Sequence, residues 1–600
     1  MFFAPQRRPP GRPLPPGARE AVLGRSSFAG GSAAVARPMR RRERAVAPDG
    51  SFQPALPPLG VLAYTRAGFG PRPGDVAAFN ALGATDLARL TAWVDQQIWP
   101  GAIADTECDQ RVAASGYATL GKSLSQLWQD HFVPEDNEWD QRIQPATETE
   151  LVTWTRAVYS KRQLLESMAH FWHNHFSAYA YEFLEGPLWV HWDRDVIRAN
   201  ALGNFRQMLG AVCRAPVMLV YLDNYLNFAE DFAGYSNENF ARELLELHTL
   251  GAAASYGRVP RAQVPVDPQG RPLGYCEDDV KDVARALTAW TFDIDWESWR
   301  WGGGNTGAFV YADQFEPALH SREAKIVLGT PIEADRTAQV DGNELLDVLA
   351  AHPACGRFLA GKLCRRLVGD FPPPALVDSA AALWTSLWQD PNQIRKVVRH
   401  ILVERSEFRT IWGEKVKRPF EVAVSALRAG NGAFRFFQQV PAPPDWEDWH
   451  PDFQRTATLH WLFEPAGQVI FGWHPPNGHP DVRGAWQSGT PRVALWRVVN
   501  WLVEADDDGV DRFFAIRDFT LQNLTAPQRT ATAIADLWIW RLLGRAIPAA
   551  EREQLIEFMA QGHNPTFALP IHTNDWPDYW QDRLRGLVGL IFMSPEFLWR

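Results

Sequence analysis

Apolar side chains recur at steps of three and four residues along most of the chain, the spacing that lays one apolar stripe along an α-helix. This periodicity predicts helices over 76–98, 151–180, 187–211, 237–250, 277–290, 342–367, 376–388, 391–405, 417–429, 491–504, 529–544, 549–560 and 578–593. Strand signals are few: residues 308–328, with a turn near His320, Ser321 and Arg322, suggest one small hairpin. The expected fold class is all-α, a large multi-helix globular body with at most a small β-hairpin. Proline-rich joints at 371–374 and 441–444 read as loops. The second divides a helical main body, 51–440, from a C-terminal helical portion, 441–600, packed on it.

Residues 1–50 break the pattern. Ten arginines stand against Glu20, Glu43 and Asp49 among many prolines and glycines, with no apolar period, as in a disordered arm. Removing their +7 from the overall −10 leaves −17 over 51–600, an acidic body unsuited to tracking a phosphate backbone, so nucleic acid is not an expected partner. Arg40, Arg41 and Arg42 are followed by Glu43, Arg44 and Pro48 where a leader needs an apolar run. The cytoplasm is therefore the expected location, with export beside a companion as the alternative. No apolar stretch reaches the ~20 residues of a membrane helix. The five cysteines are scattered and odd in number, which fits free thiols. Over all 600 residues, 46% hydrophobic and 22% charged describe a globular protein, with tryptophan, at 27, unusually frequent.

Two segments imitate nucleotide-binding loops. Residues 116–123 (GYATLGKS) match the P-loop letters, and 217–223 (VMLVYLD) resemble a strand ending in a metal-binding acid. A P-loop needs a buried strand before it and a helix after it, so that backbone N–H groups cradle phosphate; residues 109–115 make a poor strand. Residues 302–307 (GGGNTG) match the dinucleotide pattern but precede an apparent strand, so a turn is the better account.

Residues 170–179 (HFWHNHFSAY) place three histidines in six positions. On a helix Glu166, His170, His173 and Ser177 share a polar stripe, whereas His175 falls with Leu164, Met168 and Phe171 on an apolar one. His170 and His173 either chelate a metal or face solvent beside Glu166. His175 belongs to the core, where both ring nitrogens need partners. The source suggested by the sequence is 237–251 (NENFARELLELHTLG), with Ser236 as N-cap and Gly251 as terminator. There Asn239, Glu243 and Glu246 form one stripe, and Ala241, Leu244, Leu245 and His248 a second, apolar one.

These stretches, with 64–71 (YTRAGFGP), 221–224 (YLDN), 279–288 (DVKDVARALT) and 594–600 (SPEFLWR), resemble in order the motifs of a bacterial family called domain of unknown function 1800. The likeness runs from about Leu62 to the last residue. It implies no particular reaction; as a partner it implies a protein of a second family, domain of unknown function 1501. The family's histidine motif corresponds to Phe171, Trp172, Asn174, His175 and Phe176. Three departures stand out. Cys276 occupies an N-cap where the family has threonine, a loss of ~1 kcal/mol that invites the helix start to slip; Ala289 stands where glycine is expected; and Ala485 is inserted between Gly484 and Trp486.

The favoured candidate site joins His175, Glu243 and Glu246, with Asp279 and His320 as further candidates. It would act as a divalent metal centre (zinc, iron or manganese) or as general acid/base groups. His248 lies opposite the two glutamates on its helix, so all four cannot ligate one ion. A structural account places Arg242, Glu243, Glu246 and Arg285 in an internal ion-pair network. A non-catalytic account uses the acid- and tryptophan-rich segments 295–301, 445–450 and 574–580 to dock a protein or polysaccharide. In 471–481 (FGWHPPNGHPD), His474, His479 and Asp481 are metal candidates, or polar turn residues at a cleft mouth.

Overall fold

A computed structural model describes residues 54–600 except 235, 297–298, 301–303, 507–508 and 576–577. The arm expected to be disordered thus lies outside the described residues. The body is mainly helical, as the apolar periodicity requires. Six helices concern the site: α1 (Gln144–Tyr159), α2 (Gln163–His175), α3 (Asn239–Glu243, continued by a π-helical turn over Leu244–Thr249), α4 (Glu277–Ala286), α5 (Pro353–Leu367) and α6 (Pro419–Gly430).

The single helix expected over 151–180 is two, α1 and α2. Ser160 takes an extended conformation where α1 ends. Its hydroxyl donates to Asp105 at 2.6 Å, and the backbone of Lys161 donates to the other oxygen of the same carboxylate at 2.8 Å. A side chain that offers the backbone a competing partner ends a helix. Here the competitor is 55 residues away in sequence.

Strands among the described residues form three antiparallel pairs, not the one hairpin expected over 308–328. β1 (Trp290–Phe292) pairs with β4 (Phe309–Tyr311), β2 (Asp295–Trp296) with β3 (Trp299–Arg300), and β5 (Lys325–Val327) with β6 (Thr330–Ile332). The turn at His320 lies between two of these pairs: His320 contacts Thr288 and Asp341, and the Ser321 amide donates to the Thr288 hydroxyl. The P-loop look-alike follows a helix, Thr106–Ala114, and its Lys122 contacts His131 at 2.8 Å and Asp130 at 3.0 Å. Residues 217–221 belong to a helix, Pro216–Tyr221. Gly304 and Thr306 donate to Asp293, which closes a turn there.

Helix α4 starts at Glu277 without slipping. The Cys276 amide donates to Asp279 Oδ2 at 2.9 Å, so the carboxylate supplies the cap that the thiol lacks. Ala289, fully buried, has φ 66° and is fixed by Asn227 on one side and Ala312 on the other, both at 2.9 Å. The left-handed region costs a residue with a Cβ ~1–2 kcal/mol, which accounts for the glycine expected here. Ala289→Gly is predicted to stabilise the protein by about 0.5–1 kcal/mol after the added freedom of the unfolded chain is subtracted. Equilibrium urea unfolding would show it, and a lower midpoint would refute it. At Gly484 a Cβ would meet nothing within 4 Å, so no close backbone approach accompanies the inserted alanine.

Buried apolar residues form two clusters. One runs from Leu62 to Phe408; the other gathers Phe69, α1 from Leu151 to Tyr159, α6 and the helices up to Leu598. α2 lies at the seam. Its Leu164, Met168, Phe171 and Trp172 belong to the first cluster, while His170 packs against Phe420 of the second at 5.0 Å. A helix wedged between two cores has no face left for solvent, and this decides the fate of its histidines.

Candidate functional site

His175 is buried, as the apolar stripe predicts. Its Nε2 lies 3.1 Å from the His248 carbonyl oxygen and its Nδ1 2.8 Å from Lys362 Nζ. The carbonyl can only accept, so Nε2 carries the hydrogen and Nδ1 offers its lone pair to the amine. The His248 carbonyl is available because the last turn of a helix leaves its C=O groups without intrahelical partners. The π-helical turn extends α3 to that point, and Gly251 ends it at φ 89°. Burial, then the nearby Lys362 and His248, hold His175 well below the usual imidazole range. Burial brings His248 down to about 3, and both its ring nitrogens are buried without a partner among the described residues. Burial also lowers Lys362 to about 8, with Arg365 pushing the same way against the attraction of Asp481.

Glu243 and Glu246 sit on the half-buried side of α3, away from the buried His248. Burial raises Glu243 above the ordinary carboxylate range, and repulsion from Glu246 adds to it. The partners of His175 are thus a lysine and a carbonyl, where the sequence suggested the two acids. Asp279 caps α4 and accepts from the Leu328 amide at 3.0 Å. His320 joins Asp341 at 3.1 Å and Thr288 at 2.8 Å, and Asp341 also takes Lys325 at 2.7 Å, a knot that fastens β5 to the helix Ala338–Ala351. Among the described residues no group of three or more His, Cys, Asp or Glu stands where it could hold a metal ion. The internal network expected around Arg242 and Arg285 takes other acids: Arg242 pairs with Glu238 and Glu277, and Arg285 with Asp282 and Glu323.

The polar stripe of α2 does not face solvent. Glu166 takes a two-pronged contact from Arg198 at 2.7 and 2.8 Å, and His173 Nε2 meets Asp193 at 2.8 Å. His170 and Ser177 are buried as well. No periodicity could show this, since the covering residues come from the following helices and from the loop 471–481.

That loop closes over the end of α2. The Asn174 amide donates to the His479 carbonyl at 2.9 Å and accepts from the His479 amide at 2.8 Å. Gly478, at φ 71°, lies so close that a Cβ there would overlap the Asn174 carbonyl. The three metal candidates of the loop part company. His474 is exposed beside Glu182, His479 turns inward, and Asp481 pairs with Lys415 at 2.9 Å. Asn174, Phe171, Lys362, Arg365, Arg366, Arg418 and Asp481 line a small cleft. Beside it, Glu421 is buried against three arginines: Arg366, Arg600 and Arg418.

The site is therefore a basic cleft at the seam of a mainly helical protein, with a half-buried amine, hydrogen-bonded to a buried imidazole, opening onto it. Residues 62–599, nearly the whole chain, match the family model described as "Protein of unknown function (DUF1800)". The chain belongs to this family. No curated protein and no solved structure matches it.

Proposed function

We propose that the protein is an enzyme whose acid/base pair is Lys362 and His175. The observation that carries this is the 2.8 Å contact between Lys362 Nζ and His175 Nδ1, with no carboxylate paired to the amine among the described residues. A lysine near neutrality can give and take a proton at working pH, and general acid/base catalysis favours that range. His175, fixed in one tautomer by the His248 carbonyl, would position the amine by accepting one of its hydrogens at Nδ1. The acid/base form is preferred to a metal centre because both ring nitrogens of His175 are engaged, which leaves no lone pair for an ion. Glu243 and Glu246 stay in the proposal as a second acid/base pair on the other side of α3, where burial and then repulsion from Glu246 raise Glu243.

Competitive acetylation of the full chain across pH 6–11, read by mass spectrometry at Lys362, tests this. The expected midpoint lies near 8. A midpoint at about 10.4, the ordinary lysine value, would end the proposal.

A second reading, a non-catalytic protein paired with a member of the domain of unknown function 1501 family, draws support from surface tryptophans such as Trp99 and Trp540, 50% and 58% exposed. Singly exposed aromatics are ordinary on soluble proteins, so the amine–imidazole pair weighs more.

A further inference from the structure

We propose that the cleft lined by Lys362, Arg365, Arg366 and Arg418 binds an oxyanion, the carboxylate or phosphate of a small substrate. The inference names the substrate class of the site proposed above and rests on that reading.

Negative charge is short here. Four cationic side chains line the cleft against one acid, Asp481, which is shared between Lys415 at 2.9 Å and Arg366 Nη1 at 3.8 Å. Glu421 is shared by three arginines, and it takes Arg366 through Nη1 alone. Arg366 is 1% exposed, yet its Nε and Nη2 have no partner among the described residues; Arg418 Nε has none either. Nε–H and Nη2–H point from one edge of the planar guanidinium, the edge whose spacing fits two oxygens of a carboxylate or phosphate. A buried charged donor left unpaired is costly, so a fully orphaned edge beside a cleft marks where a ligand's oxygens belong. Lys362 has two further N–H groups besides the one given to His175. A bound oxyanion would therefore sit within reach of the amine. Asn174 and Phe171 supply an amide and an apolar ring to the remaining wall.

Isothermal titration calorimetry on the full chain, with sodium phosphate and sodium pyruvate each measured against sodium chloride at equal ionic strength, tests the inference. We expect saturable one-site binding of one of the two. Arg365→Gln and Lys362→Met should each weaken it at least tenfold, and both replace partly exposed side chains. Circular dichroism verifies that the variants fold. Tighter phosphate points to a phosphate ester as substrate, tighter pyruvate to a carboxylate. Failure of both anions to bind above chloride, or binding that neither variant weakens, would overturn the proposal. Binding with an ordinary titration of Lys362 sinks the acid/base reading alone and leaves an anion-binding cleft; titration near 8 without binding sinks the oxyanion alone.

Discussion

Glu421→Gln is expected to cost at least about 3–5 kcal/mol of stability, the range for removing one partner of a buried ion pair. Glutamine preserves the shape and one acceptor but removes the charge that Arg366, Arg600 and Arg418 share. Burial by itself would raise the Glu421 carboxyl; the three guanidiniums overcome it and hold the group well below the usual range. The depressed value fixes the sign of the pH dependence. The contribution is complete above the unfolded carboxylate pKa and is lost as pH falls through the folded one. The arginines respond in turn: burial, then repulsion from Arg600, brings Arg366 down to about 9. Adding Arg366→Met to Glu421→Gln should recover part of the loss by removing an orphaned charge. Urea unfolding of the two variants decides the matter; a Glu421→Gln protein as stable as the original would show that the arginines are neutralised otherwise.

Steep acid destabilisation beginning near pH 6.5 is the second large effect. His170, His175, His248 and His479 are buried and held below the ordinary imidazole value, chiefly by burial, with His248 at about 3 and His479 at about 4. On unfolding below pH 6.5 each binds a proton that the folded state refuses, so stability rises with pH across that window and is whole above it. One group contributes about 1.4 kcal/mol per pH unit. Glu185, raised to about 8 by burial, acts in the opposite sense between about 4.5 and 8 and offsets one histidine. The net slope stays positive between pH 6 and 4.5. His248→Leu should flatten it by about 1.4 kcal/mol per unit, since no ring hydrogen bond is lost. Urea midpoints from pH 7.5 to 5 that stay level would contradict the burial of these rings.

Both effects depend on contacts that the sequence reveals unequally. Burial of His175 and His248 is legible from helical spacing, because a residue in phase with leucine and phenylalanine goes inside with them. Lys362 is not, since it stands in a basic run (Lys362, Arg365, Arg366) that reads as the solvated end of a helix. One signal was available: Phe358, Lys362 and Arg366 fall four apart on one face of α5, an apolar start with two cations behind it. The acidic helix misled for a related reason. Its glutamates were placed correctly opposite His248, but a wheel shows only directions around one axis and cannot say which helix lies across from each.

The sequence by itself determined the helical class, the inward-facing imidazoles and the family, because these follow from periodicity and ordered motifs carried within single segments. Only the tertiary structure decided that Lys362 meets His175, that Ser160 is drawn off its helix by Asp105, and that arginines crowd Glu421. Each joins residues tens to hundreds of positions apart, and such pairings depend on how two cores close upon α2, which no local pattern encodes.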